Sequence, residues 1–145
     1  MDFQNNAVRP IFARHSPGVV RSRRSVPEKS HCERDSMSHW IRSAFWIGPL
    51  KTGTEERFRQ HMDTVLIPAL RALPGVSQAR ALWPRLREDE PPAILCQVLV
   101  EFASRADVDR MLASPERASM RPMVLEARAM FDGQFSHIEY EVGEP

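Results

Sequence analysis

The chain has 145 residues, enough for one domain and a tail, and its 42% hydrophobic and 27% charged residues place it among globular proteins. Twenty basic and nineteen acidic side chains leave a formal charge of +1, too balanced for a general nucleic-acid binder. No apolar run approaches the roughly 20 residues that cross a bilayer, and Cys32 and Cys96 make neither a disulfide framework nor a zinc site. The expectation is a cytoplasmic protein with no nucleic-acid or membrane partner.

Residues 1–37 read as a basic leader. The first 36 hold six Arg and one Lys against two Asp and two Glu, a net of +3, which leaves −2 for the other 109. Pro10, Pro17, Gly18 and Pro27 interrupt any period, so this segment buries too little to offset its ordering entropy and disorder is expected. Three readings stay open. Arg21, Arg23 and Arg24 suit a tail that touches an acidic partner or nucleic acid. Frequent Arg and Ser suit an organellar presequence, against which stand Asp2, Glu28, Glu33 and Asp35. The third reading starts translation at Met37, immediately before the domain start Ser38-His39-Trp40-Ile41. The folded domain is expected over residues 38–145.

Residues 41–48 alternate with period two and carry aromatic and β-branched side chains, which predicts a strand. After a loop, Thr54 is placed as an N-cap with Glu55 and Glu56 in the first turn. Phe58, Met62, Val65, Leu66, Ala69, Leu70 and Leu73 then form one stripe of a long helix, bent at Pro68 and ended by Pro74-Gly75. Residues 76–86 read as a second extended segment, an edge strand because of Pro84. Ala93 to Ala103 reads as a central strand, with Ile94, Cys96, Val98, Val100 and Phe102 on one apolar face. Ser104 with Asp107 forms a capping box, and Ser114-Pro115-Glu116 signals a further helix start, with Pro122 breaking the run after it. Residues 134–142 alternate again as the last strand.

The order βαββαβ predicts an α+β, ferredoxin-like sandwich: a four-stranded antiparallel sheet with helices on one face. Its second face carries apolar residues and invites a second copy, so a homodimer through the sheet faces is expected, closing into an α+β barrel.

The domain resembles the EthD-like proteins of the dimeric α+β barrel superfamily. Three stretches carry the likeness: Phe45-Trp46-Ile47 through Thr54-Glu55-Glu56-Arg57-Phe58, the helix end Ile67-Pro68-Ala69-Leu70-Arg71-Ala72-Leu73-Pro74-Gly75-Val76, and Leu112-Ala113-Ser114-Pro115-Glu116. It spans about residues 38–142. The family carries a His two residues before the helix Pro, where this chain has Leu66. The resemblance therefore implies fold and dimerisation more than activity. Across the superfamily it implies cofactor-independent oxygenases, dehydratases, cyclases and haem enzymes.

His61, beside the apolar stripe, and His137, sharing a strand face with Phe135, are the candidate proton-transfer groups. Trp46, Leu66, Trp83, Phe135 and Tyr140 are the candidate lining of an apolar pocket, since large rings suit an aromatic ligand. Cys96 reads as an inert buried thiol. Phosphate loops, dinucleotide fingerprints and metal-ligand spacings are absent from the sequence, so no cofactor or metal is expected. The leading expectation is a homodimer that binds a hydrophobic or aromatic molecule and performs cofactor-independent oxygenase, dehydratase or cyclase-type chemistry. The alternatives are a non-catalytic accessory protein and a haem-dependent enzyme with His61 or His137 as axial ligand.

Overall fold

The computed structural model describes residues 38–143. The expected leader, residues 1–37, and the start at Met37 lie outside the described residues. Four strands are present: Trp40–Ile47 (β1), Val76–Leu82 (β2), Ile94–Phe102 (β3) and Gln134–Glu141 (β4). They form one antiparallel sheet in the order β2-β3-β1-β4, the ferredoxin-like arrangement. Among the described residues no helix is long and apolar enough to cross a membrane.

Register decides which side chains meet. Trp46 of β1 stands between Cys96 and Phe135, Ala44 between Val98 and His137, and Arg42 between Val100 and Glu139. These rows face the helices, and Trp46, Cys96, Val98 and Val100 are buried there. The alternate rows face away: Ser43 between Leu99 and Ile138, Phe45 between Gln97 and Ser136, and Ile41 between Glu101 and Tyr140. β2 is an edge strand, as expected, but not for the expected reason: it ends at Leu82 rather than running to residue 86, so Pro84 lies outside it. Pro84 offers no ladder donor, and the following loop turns through left-handed Asp89 and Glu90.

The helix expected from Thr54 to Leu73 is in three parts. Glu55–His61 (α1) passes into a π turn at Met62–Leu66 and then into Ile67–Arg71 (α2). At the junction the Ile67 N–H donates to the Met62 carbonyl, five residues back. Pro68, one residue further on, has no N–H to continue an α ladder, and the wider turn absorbs the mismatch. The extra residue per turn advances the phase, so Ile67 is buried although the α spacing leaves it off the stripe. Thr54 does not cap with its side chain. Its hydroxyl is turned onto the carbonyls of Lys51 at 2.7 Å and Met130 at 3.1 Å, tying the loop to the end of the helical layer.

The second helical region also has three parts: Arg105–Leu112 (α3), Pro115–Ser119 (α4) and Arg121–Ala129 (α5). Ser104 Oγ accepts from the Asp107 N–H at 3.2 Å, and Ser114 Oγ accepts from the Arg117 N–H at 3.2 Å. Both caps stand where the sequence puts them. The core centres on Trp46, which meets Phe58 and Phe131 edge-on, each with centroids 5.3 Å apart.

Candidate functional site

A cavity of about 540 Å³ lies between the sheet and the helices. That falls within the 300–1,000 Å³ or so typical of small-molecule sites. Its floor is the sheet: Ala44 and Trp46 of β1, Val98 and Val100 of β3, and Phe135 of β4. Its roof is built by Met62 and Leu66 of the π turn, Leu70 of α2, Met111 of α3, and Met120 and Val124 around the start of α5. Each roof residue follows from the apolar stripe of its own helix.

Polar groups enter the wall at Arg42, Arg117, Arg121 and His137. Arg117, Arg121 and His137 are exposed, so this is where the cavity meets solvent. No acidic residue lines it. Glu139 sits next along β4 from the wall, and both of its carboxylate oxygens are engaged: Arg42 binds one, and Arg105 binds the other at 2.5 Å. Burial pushes the Glu139 carboxyl up, but the hydrogen bonds from Arg105 and Arg42 hold it below its usual range overall. His137, exposed as a residue but with its ring packed against Phe135, is held down to about 4, first by the desolvation of that ring and then by the charges of Arg42 and Arg117. Its ring packs edge-on to Phe135 with centroids 4.7 Å apart, and among the described residues neither nitrogen has a hydrogen-bond partner. The imidazole is therefore neutral at neutral pH, with a free lone pair at the cavity mouth.

The candidate residues separate clearly. Trp46, Leu66, Phe135 and His137 line the cavity together. Tyr140 does not: three residues on from His137, it has the opposite parity and stands 41% exposed on the far face of the sheet. Trp83 also lies outside the lining. It packs against Phe58 and under the Arg59 guanidinium, 4.4 Å from its centroid, just past the end of β2. His61 is buried and points elsewhere, with Nε2 donating to the Met123 carbonyl at 2.8 Å and Nδ1 3.8 Å from Glu126. It staples the first helical region to α5, so of the two histidines weighed as haem ligands only His137 has both nitrogens without a hydrogen bond among the described residues. Among the described residues no three His, Cys, Asp or Glu side chains gather as metal ligands.

Sequence reasoning missed the three arginines. Arg117 and Arg121 stand four apart, the spacing of one helical face, but the break at Met120 lies between them. Arg42 reads as the polar half of an alternating strand, and only the fold shows that half turned inward beside Ala44 and Trp46.

Neither a protein-family model nor a curated protein matches the sequence. Solved structures match the fold. An EthD family protein from Bacillus halodurans superposes with a TM-score of 0.58 at 10% identity, over 72% of this chain and 99% of that one. A variant of SnoaB, a cofactor-independent oxygenase from Streptomyces nogalater, gives a TM-score of 0.50 at 14% identity, over 76% and 97%. A dimeric ferredoxin-like protein of unknown function from Jannaschia sp. gives 0.51 at 19% identity, over 71% and 99%. At these identities the likeness establishes the shared fold: the chain has the ferredoxin-like architecture of an EthD family protein.

Proposed function

We propose that this chain binds a hydrophobic, planar organic molecule in the cavity under its helices and works as a homodimer joined through the outer sheet faces. The carrying observation is the cavity itself: about 540 Å³, apolar on floor and roof, with polar groups only toward its mouth. The outer sheet face supports the dimer, since Ile138, Tyr140 and Leu82 stand exposed on it and the Jannaschia relative in fold is itself dimeric.

His137 favours a catalytic use of the same cavity. Among the described residues it is the one imidazole on the cavity wall, positioned to take a proton from a bound carbon acid. The neighbouring guanidinium groups lower its basicity but stabilise the enolate left behind, so the arginines carry the larger share of the step. Under air an enolate is the entry to oxygenation, and the SnoaB likeness in fold makes that the first chemistry to assay. Without dioxygen the same step opens dehydration or cyclisation.

The test is calorimetry with anthrone, a flat tricycle with an acidic methylene, followed by oxygen uptake. Binding is expected in the wild type and lost in Ala44→Leu, whose added carbons occupy the cavity floor. Oxygen uptake is expected to fall by about a hundredfold in His137→Gln, the order of general-base catalysis. Binding without uptake makes the protein a carrier, and binding undiminished in Ala44→Leu removes the cavity from the account.

A further inference from the structure

We infer that the ligand of this cavity is an apolar carboxylate, its hydrocarbon body enclosed beneath the helices and its anionic group held at the mouth by Arg117 and Arg121. The inference rests on the cavity being a ligand site and adds the chemical class of the ligand.

The argument starts from how this chain disposes of its arginines. Those on the helical side of the sheet are mostly committed: Arg42 and Arg105 to Glu139, Arg71 to the Ala79 carbonyl at 2.9 Å, and Arg128 to the face of Phe135. Arg117 and Arg121 are different. Both line the cavity, and among the described residues neither has a carboxylate, carbonyl or ring as partner. Glu116, the nearest acid in sequence, lines a separate hollow of about 290 Å³ instead. Glu139, the nearest acid on the sheet, has no oxygen left over.

Two unpaired guanidinium groups at the open end of an apolar cavity make a poor site for a neutral hydrocarbon. Seating one there strips water from both cations and returns nothing. An anion replaces that water with charge-assisted hydrogen bonds, and a carboxylate matches the planar donor fork of arginine two bonds at a time. The depth of apolar wall behind the arginines also argues against a small inorganic anion, which would leave Trp46, Leu66 and Val98 facing an empty space. The division of labour is that of most small-molecule sites, in which apolar walls give affinity and a few polar groups fix orientation. One consequence is geometric. With its acid at the arginines, the ligand lays its adjacent ring carbons beside His137, which shares that end of the cavity.

The test compares naphthoate with its methyl ester, equal in hydrocarbon and differing in charge, by calorimetry on the full chain. Naphthoate is expected to bind at least about tenfold more tightly. Arg117→Gln together with Arg121→Gln should erase that preference, weakening naphthoate by at least about tenfold more than the ester. Both positions are exposed, so the double variant should melt as the wild type does. Equal affinities for the two ligands, both abolished by Ala44→Leu, would overturn the carboxylate inference and keep the cavity as a neutral-ligand site. A naphthoate preference that survives the double variant would also overturn it. Failure of both ligands to bind would remove the underlying cavity reading as well.

Discussion

His137 combines three circumstances that set its chemistry. It sits at the mouth of an apolar cavity, its ring is backed by Phe135, and two guanidinium groups bear on it. Burial acts first and the Arg42 and Arg117 charges second, taking its pKa from 6.5 down to about 4. The native protein therefore resists the proton that the unfolded chain accepts, and stability must fall as pH drops from about 6.5 towards 4. Glu139 acts in the same direction lower down, because its carboxyl is held below its ordinary 4.5 and its contribution is lost only as pH falls through that depressed value. Urea midpoints measured across this range should decline with acidity, and His137→Gln should flatten the upper part of the decline while leaving the lower part. A flat wild-type curve between pH 6.5 and 4 would contradict the environment assigned to His137. Cys96 is the complementary case. It is fully buried, and its thiol is pushed up to about 12 by burial and then by Asp63, against a smaller pull from Arg59. In a Cys32→Ser chain, a thiol reagent should find no reactive cysteine in the native protein and one after denaturation.

The short helix α4 carries one wall of the mouth, and its position depends on a single side chain. Ser114 is buried, accepts from the Arg117 N–H at 3.2 Å and donates to the Met111 carbonyl at 2.7 Å. It thus fixes the end of α3 and the start of α4 at once. Ser114→Ala should cost about 1–2 kcal/mol, the usual loss of a cap with a buried hydroxyl partner, readable from chemical denaturation. It should also weaken naphthoate binding, because Arg117 is the residue whose backbone the cap holds. This cap was legible in the sequence as Ser114-Pro115-Glu116, and so were the four strands, because period-two alternation and helix punctuation are local properties. The phase of the first helix was not. Its α spacing holds through Leu66, but the π turn before Pro68 adds a residue and brings Ile67 inside. The arginines of the mouth were illegible for a different reason. An arginine in an amphipathic pattern reads as solvated surface, and only the packing of α4 and α5 over β1 and β4 turns one edge of that surface into the rim of a cavity.

At the scale of the whole molecule, the sheet separates two surfaces with different chemistry. The inner one holds the core and the cavity. The outer one presents rows that run across all four strands, such as Leu82, Gln97, Phe45 and Ser136, or Arg80, Leu99, Ser43 and Ile138. Ile138 is 48% exposed and Tyr140 41%, large apolar areas for a strand that carries its charged residues elsewhere. A two-fold axis through this face would bring the same rows together from both copies, with the charge of Glu101 on the central strand already paired to Arg80 at 2.6 Å. Paired lysines at the edge would oppose that contact, since each would be buried against its own image. Ile138→Lys with Tyr140→Lys should therefore turn a sedimenting dimer into a single chain. Because the cavity opens on the opposite side of the sheet, naphthoate binding should survive in that single chain with its preference over the ester intact. Dimer loss accompanied by binding loss would mean that the partner completes the site. A wild type that sediments as one chain at every concentration would leave the outer face without its proposed occupant.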